Sequence, residues 1–494
     1  MRRLLAGALG ALLLVGCTSS SGSDDDQGVP SSSRAATTRP APAAPANGQL
    51  TPEGLRTAVT AAAIRRHLTA LQEVADRNGG NRAAGTPGYE ASVRYVADQL
   101  RQAGYRPELQ RFDVTTARNR TPPVLELTGA PADLRAEEDF RPFAFSGNGE
   151  VAAATRPVDI ASGVAASTSG CEPDDFAGFP RGGIAVVQRG TCPFRTKAQN
   201  AQQAGAAAAL IFDPGQPGLL SGTLGGPGIT IPVLAVASDV GRELTGASPG
   251  RQVRVRVDVE SRAHPTSNVI AELSGGPGGR VVMVGAHLDS VTAGPGMNDN
   301  ASGSATVLEL ARQLAGTKPA ASVRFAWWGG EELGLLGSRH YLEQLAPADR
   351  DRIALYLNLD MVGSRNVRRL VYDGNARGAP PGSGVIQRVL TDYLRGQGLA
   401  VGTTSLGGGS DHAPFAAAGI PVGGLFTGAG EAKSQQERAE FGGTAGEPAD
   451  PCYHRRCDDL GNLDLTVLDQ MADAAAHAVA TFALDTGPVD RARG

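Results

Sequence analysis

Lysine is almost missing from this 494-residue chain: Lys197, Lys318 and Lys433 are the only three. Nearly all positive charge is therefore arginine, which we read as genome composition bias without functional weight. A basic excess is missing too. The 46 basic residues are outnumbered by 50 acidic ones, for a net charge of −4. That balance argues against a dedicated nucleic-acid binder, whose phosphate contacts need a positive face. After the N-terminal segment no apolar stretch is long enough to cross a bilayer as a helix. Glycine (66) and proline (32) are plentiful but follow no strict period, which excludes collagen and points to many turns. With 41% apolar and 19% charged residues, most of the chain is expected to fold, and its length suits two or three domains.

Cysteine is scarce, with five in all: Cys17, Cys171, Cys192, Cys452 and Cys457. No two form a CxxC pair, which weakens a zinc-finger reading. Cys17 ends an export signal. Arg2 and Arg3 precede an apolar run from Leu4 to Val15, too short for a membrane span but suited to a signal peptide. Leu14-Val15-Gly16-Cys17 resembles a bacterial lipobox, so residues 1–17 are expected to be a lipoprotein signal peptide with Cys17 lipidated. The plainer alternative is an ordinary signal peptide whose removal discards Cys17. Residues 18–49 are Ser, Asp, Thr, Ala and Pro without apolar periodicity, and are expected to be a disordered tether. Low-complexity sequence starting at once favours the lipoprotein reading. It places the protein outside the cell, anchored to the outer face of a bacterial membrane only through Cys17. The other four cysteines are an even number in an oxidising compartment, and proximity suggests the pairs Cys171–Cys192 and Cys452–Cys457.

Periodicity predicts helices at 55–75 and 89–104. From about residue 281 strands and helices alternate. The strands are Val281–Ala286, Val323–Trp328, Ile353–Leu359 and Pro421–Phe426, and the helices lie near 301–315, 333–345, 383–396 and 465–484. Continuous apolar strands between helices imply an α/β fold: three layers around a mostly parallel central sheet. Residues from about 135 to 258 differ. Short β-like runs (Gly183–Gln188, Ala208–Phe212, Ile231–Ala237, Val253–Val259) and one helix near 194–205 sit among Gly-rich turns. This reads as a β-rich domain inserted into the first. The expected division is 50–134 with 262–485 for the outer domain, 135–261 for the insert, and 486–494 as a tail.

The α/β strands end in chemistry. His287-Leu288-Asp289 follows the first, Gly330-Glu331-Glu332 the second and Asp360-Met361 the third, while Asp299 sits where a helix begins. Groups at the carboxyl ends of such strands converge despite their separation in sequence. His454 lies in a loop that Cys452 and Cys457 would close. Each has a bland reading: a helix cap for Asp299, solvated glutamates, a surface histidine. Together those readings need five coincidences at strand ends. Two histidines and three carboxylates exceed the three protein ligands of a single catalytic zinc, and suit two zinc ions with one bridging aspartate. The mixed nitrogen and oxygen set favours zinc, with manganese and cobalt as alternatives.

These pieces resemble an M28-type dinuclear zinc aminopeptidase carrying an inserted protease-associated (PA) domain, similar to secreted actinobacterial enzymes. The matching segments are His287-Leu288-Asp289-Ser290, Asn298-Asp299-Asn300-Ala301-Ser302-Gly303, Glu331-Glu332, Asn358-Leu359-Asp360-Met361, Ser410-Asp411-His412 and Cys452-Tyr453-His454. For the insert the match is Gly190-Thr191-Cys192-Pro193-Phe194. The resemblance covers about 55–134 and 262–485. It implies that Asp299 bridges two zinc ions, that His287 and Asp360 complete one site, and that Glu332 and His454 complete the other. It implies Glu331 as general base, Tyr453 as donor to the developing oxyanion, and Asp289 and Asp411 as supports behind the ligands. His412 is ranked with them as support and not as a ligand. A calcium ion also occurs in the family, with no ligands assignable here. Some relatives carry an arginine just before the Ser-Asp-His element, where this chain has Gly409.

The implied activity is removal of N-terminal residues from peptides, with the α-amine held by Glu331 and Asp360. Met361, Phe415, Ile420 and Phe426 hint at a hydrophobic first residue. Peptides are the expected partners, and the chain is expected to act as a monomer. Competing readings are a carboxypeptidase, a single-zinc glutaminyl cyclase, and a non-catalytic cell-surface binding protein; retention of all five ligands and the base ranks them lower.

Overall fold

The computed structural model describes residues 49–493 apart from 129–133, 162–166, 216–217, 221, 247–249 and 408. The signal peptide, Cys17 and the tether up to residue 48 lie outside the described residues.

In chain order the strands are β1 (Glu108–Asn119), β2 (Val124–Leu127), β3 (Phe140–Pro142), β4 (Gly149–Pro157), β5 (Ile184–Gln188), β6 (Ala208–Phe212), β7 (Val233–Val236), β8 (Gln252–Val257), β9 (Val259–Leu273), β10 (Val281–His287), β11 (Ser322–Trp328), β12 (Ile353–Leu359), β13 (Leu370–Tyr372), β14 (Gly402–Thr404) and β15 (Val422–Phe426). Eight of them form one sheet in the order β1-β9-β11-β10-β12-β15-β13-β14. Its centre is parallel, β11 and β12 both flanking β10 and β15 following β12.

Alternation along the central strands decides the layers. Val282, Val284, Val323, Phe325 and Trp327 face one core, shared with Leu68, Val307, Leu310 and Met471 from the covering helices. Met283, Ala326, Trp328 and Tyr356 face the other core, against Tyr341 and Phe415. Both faces are buried, which is why these strands read as unbroken apolar runs. Fold class and three-layer order agree with the expectation from sequence. The helices Ser383–Gly396 and Leu465–Leu484 also fall where periodicity put them.

Three boundaries differ. The helix expected over 55–75 is two helices, Pro52–Ala58 and Ala61–Arg77. Val59 is extended between them, and the Thr60 hydroxyl accepts from Ala63 N to start the second. The insert begins earlier than residue 135. β2 belongs to a seven-stranded sheet, β2-β8-β4-β5-β6-β7-β3, because Leu125 and Leu127 bury against Val253 and Val255 in the insert's own core. A continuous ribbon of β1 and β9, from Glu108↔Ile270 to Asn119↔Val259, joins this sheet to the larger one. Of the expected tail 486–494, the described residues 486–493 are not free. Gly487–Arg493 is a helix that buries Val489 completely and sends Arg493 Nη1 to the Ile353 carbonyl at 2.9 Å. Two apolar residues in nine, Val489 and Ala492, are too few to show a periodicity.

Both expected disulfides are present, Cys171–Cys192 and Cys452–Cys457. Among the described residues no helix is long and apolar enough to cross a membrane.

Gly303 lets helix Ser302–Leu314 approach the end of β12. A Cβ there would lie 2.2 Å from the Leu359 carbonyl oxygen. Gly303→Ala is therefore expected to destabilise the fold by about 1–3 kcal/mol, read as a lower urea midpoint. An unchanged midpoint would contradict this close approach.

Candidate metal centre

The carboxyl ends of β10, β11 and β12 deliver His287, the Glu331-Glu332 pair and Asp360 to one place. Asp299 joins them from Met297–Ala301, the turn before helix Ser302–Leu314. His454 enters from the Cys452–Cys457 loop, at a backbone φ of 57°. Few side chains adopt that left-handed conformation freely, and here a five-residue disulfide separation encloses it.

Asp299 lies between the two histidines. Its Oδ1 is 3.2 Å from His287 Nε2, and its Oδ2 is 3.1 Å from His454 Nε2. His287 Nε2 is also 3.4 Å from Asp360 Oδ1, and His454 Nε2 is 3.2 Å from Glu332 Oε2. Two triads result, His287–Asp299–Asp360 and Asp299–Glu332–His454, with the donor atoms of each within 4.8 Å of one another. Among the described residues these are the only groups of three or more metal-binding side chains. All five residues expected as ligands are thus brought together.

The donors fit a metal. The five are largely buried, and Glu332 Oε1 is buried without a hydrogen-bond partner. Such an oxygen is costly unless a cation takes it. Imidazole nitrogens mixed with carboxylate oxygens form a zinc-type set. Without metal, the positive charge must come from protons. Burial opposes charging His454, yet Glu332 and Asp299 outweigh it and push its pKa up to about 10. His287 is raised well above its usual value against the same burial penalty, chiefly by Asp360 and Glu331.

The expected supports divide the work differently from one another. Asp289 is fully buried and accepts from Glu331 N at 3.2 Å and Glu332 N at 3.3 Å. It therefore fixes the turn carrying both glutamates. Its carbonyl, not its carboxylate, makes the close contact to His287 Nδ1, at 3.1 Å against 3.7 Å. Asp411 accepts from the Ser338 hydroxyl and touches no ligand, and its Oδ2 has no partner. Burial raises its pKa to about 7. Support for Asp360 comes instead from Ser410, whose hydroxyl donates to Oδ2 at 2.6 Å. Asn358 Nδ2 donates to that hydroxyl at 2.8 Å, and Trp328 reaches Asn358 through Tyr356. His412 is held away from the centre, its Nε2 3.1 Å from the Gly407 carbonyl and its ring against Tyr372. Gly409 is exposed, with no atom within 4 Å of where a side chain would begin.

Glu331 is half-buried beside the triads. Burial raises its pKa well above the carboxylate range, and Glu332, Asp411 and Asp360 push the same way against His287. The Tyr453 ring stacks on His454 at 3.8 Å, and its hydroxyl has no hydrogen-bond partner among the described residues. Phe415 and Ile420 are fully buried in the core with Trp328.

Three residues escaped the sequence reading. Asp458 accepts from Asn298 N at 2.8 Å and Asp299 N at 3.0 Å, fixing the turn that carries Asp299. Asp450 accepts from Asn298 Nδ2 at 2.6 Å. Arg82, fully buried, donates to the carbonyls of Leu288, Pro295 and Gly296. Asp458 follows the second disulfide directly, a weak signal. Arg82 sits in an unremarkable loop with none.

Residues 268–479 match Peptidase family M28 and residues 157–244 match the PA domain. An aminopeptidase of Pseudomonas aeruginosa is 44% identical over 451 residues, covering 89% of this chain and 84% of that protein. A Mycobacterium tuberculosis protein named probable lipoprotein aminopeptidase LpqL is 42% identical, covering 88% and 87%. Leucine aminopeptidase 2 of Trichophyton rubrum is 33% identical, covering 89% and 87%. Among solved structures, an aminopeptidase from Aneurinibacillus sp. strain AM-1 superposes with a TM-score of 0.67 at 27% identity, covering 87% of this chain and 95% of that one. The Bacillus subtilis zinc aminopeptidase gives 0.61 at 25% identity, covering 86% and 95%.

Asp289→Asn would turn an amide N–H toward one of the two glutamate donors. Metal affinity, titrated with zinc against a chelator, is expected to fall about 10–100-fold. Unchanged affinity would show that Asp289 does not hold the glutamates in place.

Proposed function

The chain belongs to peptidase family M28 and is a zinc-dependent aminopeptidase, and we propose that it binds two zinc ions on either side of Asp299. His287 and Asp360 complete one site; Glu332 and His454 complete the other. The observation that carries this reading is that the two oxygens of Asp299 face two different histidines. A single shared ion would leave Glu332 and His454, or His287 and Asp360, as a buried group without a purpose. No third group of ligands among the described residues supports a calcium site.

Bound zinc supplies Lewis acidity, acidifying a water and polarising a peptide carbonyl. The rest falls to side chains. Glu331 takes a proton from the attacking water and passes it to the departing amine. Glu331 and Glu332 are adjacent and differ in burial, so one grips metal while the other stays accessible. Tyr453, stacked on His454 with a free hydroxyl, donates to the oxyanion as it develops. Asp360 and Glu331 receive the α-amine of the substrate, which confines cleavage to chain ends. A hydrophobic first residue, leucine above all, is supported by the names of the fungal relatives. It is not supported by Phe415 and Ile420, which are core.

The lipobox at Cys17 and the likeness to a protein named as a lipoprotein support anchoring at the cell surface. Both triads are complete within one chain, so the centre needs no residue from a second copy.

Glu331→Gln tests the assignment of the base. Turnover of leucine p-nitroanilide is expected to fall about 10²–10⁴-fold, with zinc content unchanged by mass spectrometry. Normal turnover in a zinc-loaded variant would remove Glu331 from that role.

A further inference from the structure

The turn that carries Asp299 also grips the chain around Asp360. Asn298, Asn300 and Ser302 are fully buried, and all three reach the segment that follows β12. Asn300 Nδ2 donates to the Leu359 carbonyl at 2.9 Å, and its Oδ1 accepts from Met361 N at 3.1 Å. Ser302 Oγ accepts from Val362 N, and Asn298 Oδ1 from Gly363 N, each at 3.1 Å. Asp299, between the two asparagines, faces the histidines instead.

Asn300 holds the most consequential of these contacts. Leu359 and Met361 are the chain neighbours of Asp360. The Leu359 carbonyl belongs to the peptide plane before the Asp360 Cα, and the Met361 N–H to the plane after it. Holding both planes fixes the backbone dihedrals between them, and with those the direction of the side chain. One amide therefore sets where the Asp360 carboxylate leaves the backbone, and it belongs to the residue next to Asp299. A third bond, from Gly303 N to Oδ1 at 3.0 Å, ties the same amide to the start of the helix. Asparagine supplies both the donor and the doubly accepting oxygen on a short stem; aspartate lacks the donor and leucine lacks both. The other ligands have separate supports. Asp458 holds the backbone of Asn298 and Asp299, Asp289 holds that of Glu332, and the disulfide loop carries His454.

We propose that Asn300 is a positioning residue that locks Asp360 in register with Asp299. It thereby sets the zinc affinity of the His287–Asp299–Asp360 site and leaves that of the Asp299–Glu332–His454 site unchanged. The proposal deepens the dinuclear reading above and rests on it.

The test compares the full-length protein with Asn300→Leu, which is similar in size but makes none of the three bonds. Zinc is titrated against a chelator, and crystals grown at limiting zinc are measured at the zinc absorption edge. In Asn300→Leu one of the two ions is expected to bind about 10–100-fold more weakly, and the other as before. The anomalous peak that fades is the one against His287 and Asp360. Asn300→Asp, which can still accept from Met361 N, is expected to narrow the gap between the two sites. Equal weakening of both ions, or of neither, overturns the proposal while the dinuclear reading stands. A single zinc in the unmodified protein overturns that reading itself. If neither variant folds, hydrogen exchange in the metal-free, unmodified protein decides. Slow exchange at the Met361 amide supports the lock, and exchange as fast as in an exposed loop overturns it.

Discussion

Asp299 holds one negative charge between two imidazoles, and the rest of the centre is built around that sharing. Glu331, Glu332, Asp360, Asp289 and Asp411 crowd the same small volume. Carboxylates this close and this buried repel one another, and several are pushed toward their neutral forms. The protein alone meets this with protons on His287 and His454, whose pKa values rise in spite of burial. Divalent cations at the same positions replace those protons with more charge and satisfy the Glu332 oxygen that has no partner.

Such a cluster needs a stiff frame. β10, β11 and β12 supply it, ending at His287, the paired glutamates and Asp360, with both faces packed. Around it lies a shell of buried polar contacts. Asp458 fixes the Asp299 turn, Asp289 fixes the glutamate turn, and Ser410 with Asn358 fixes Asp360. The disulfide loop does the same for His454, where the sheet provides no strand end. The insert is tied to this frame by the β1–β9 ribbon.

Much of this was legible in the amino-acid order. The strands of the parallel sheet are buried on both faces, so their apolar runs announced them, and the groups that follow them converge by the geometry of the fold. Both disulfides followed from proximity. What stayed hidden depends on contacts between distant segments. Leu125 and Leu127 look the same whichever sheet receives them, so the start of the insert was misplaced. Val489 is the one large apolar side chain of its segment, so the last helix read as a tail. Arg82 and Asp458 act on backbone groups, which leave no pattern in side-chain chemistry. Ser410 and Asp411 are neighbours in one motif, yet only tertiary packing makes the serine, and not the aspartate, the partner of Asp360.

The shared carboxylate is open to direct observation. Crystals of the zinc-loaded protein, measured at the zinc absorption edge, are expected to show two anomalous peaks. One should lie against His287, Asp299 and Asp360, the other against Asp299, Glu332 and His454. A single peak, or zinc bound without Asp299 between two ions, would contradict the account.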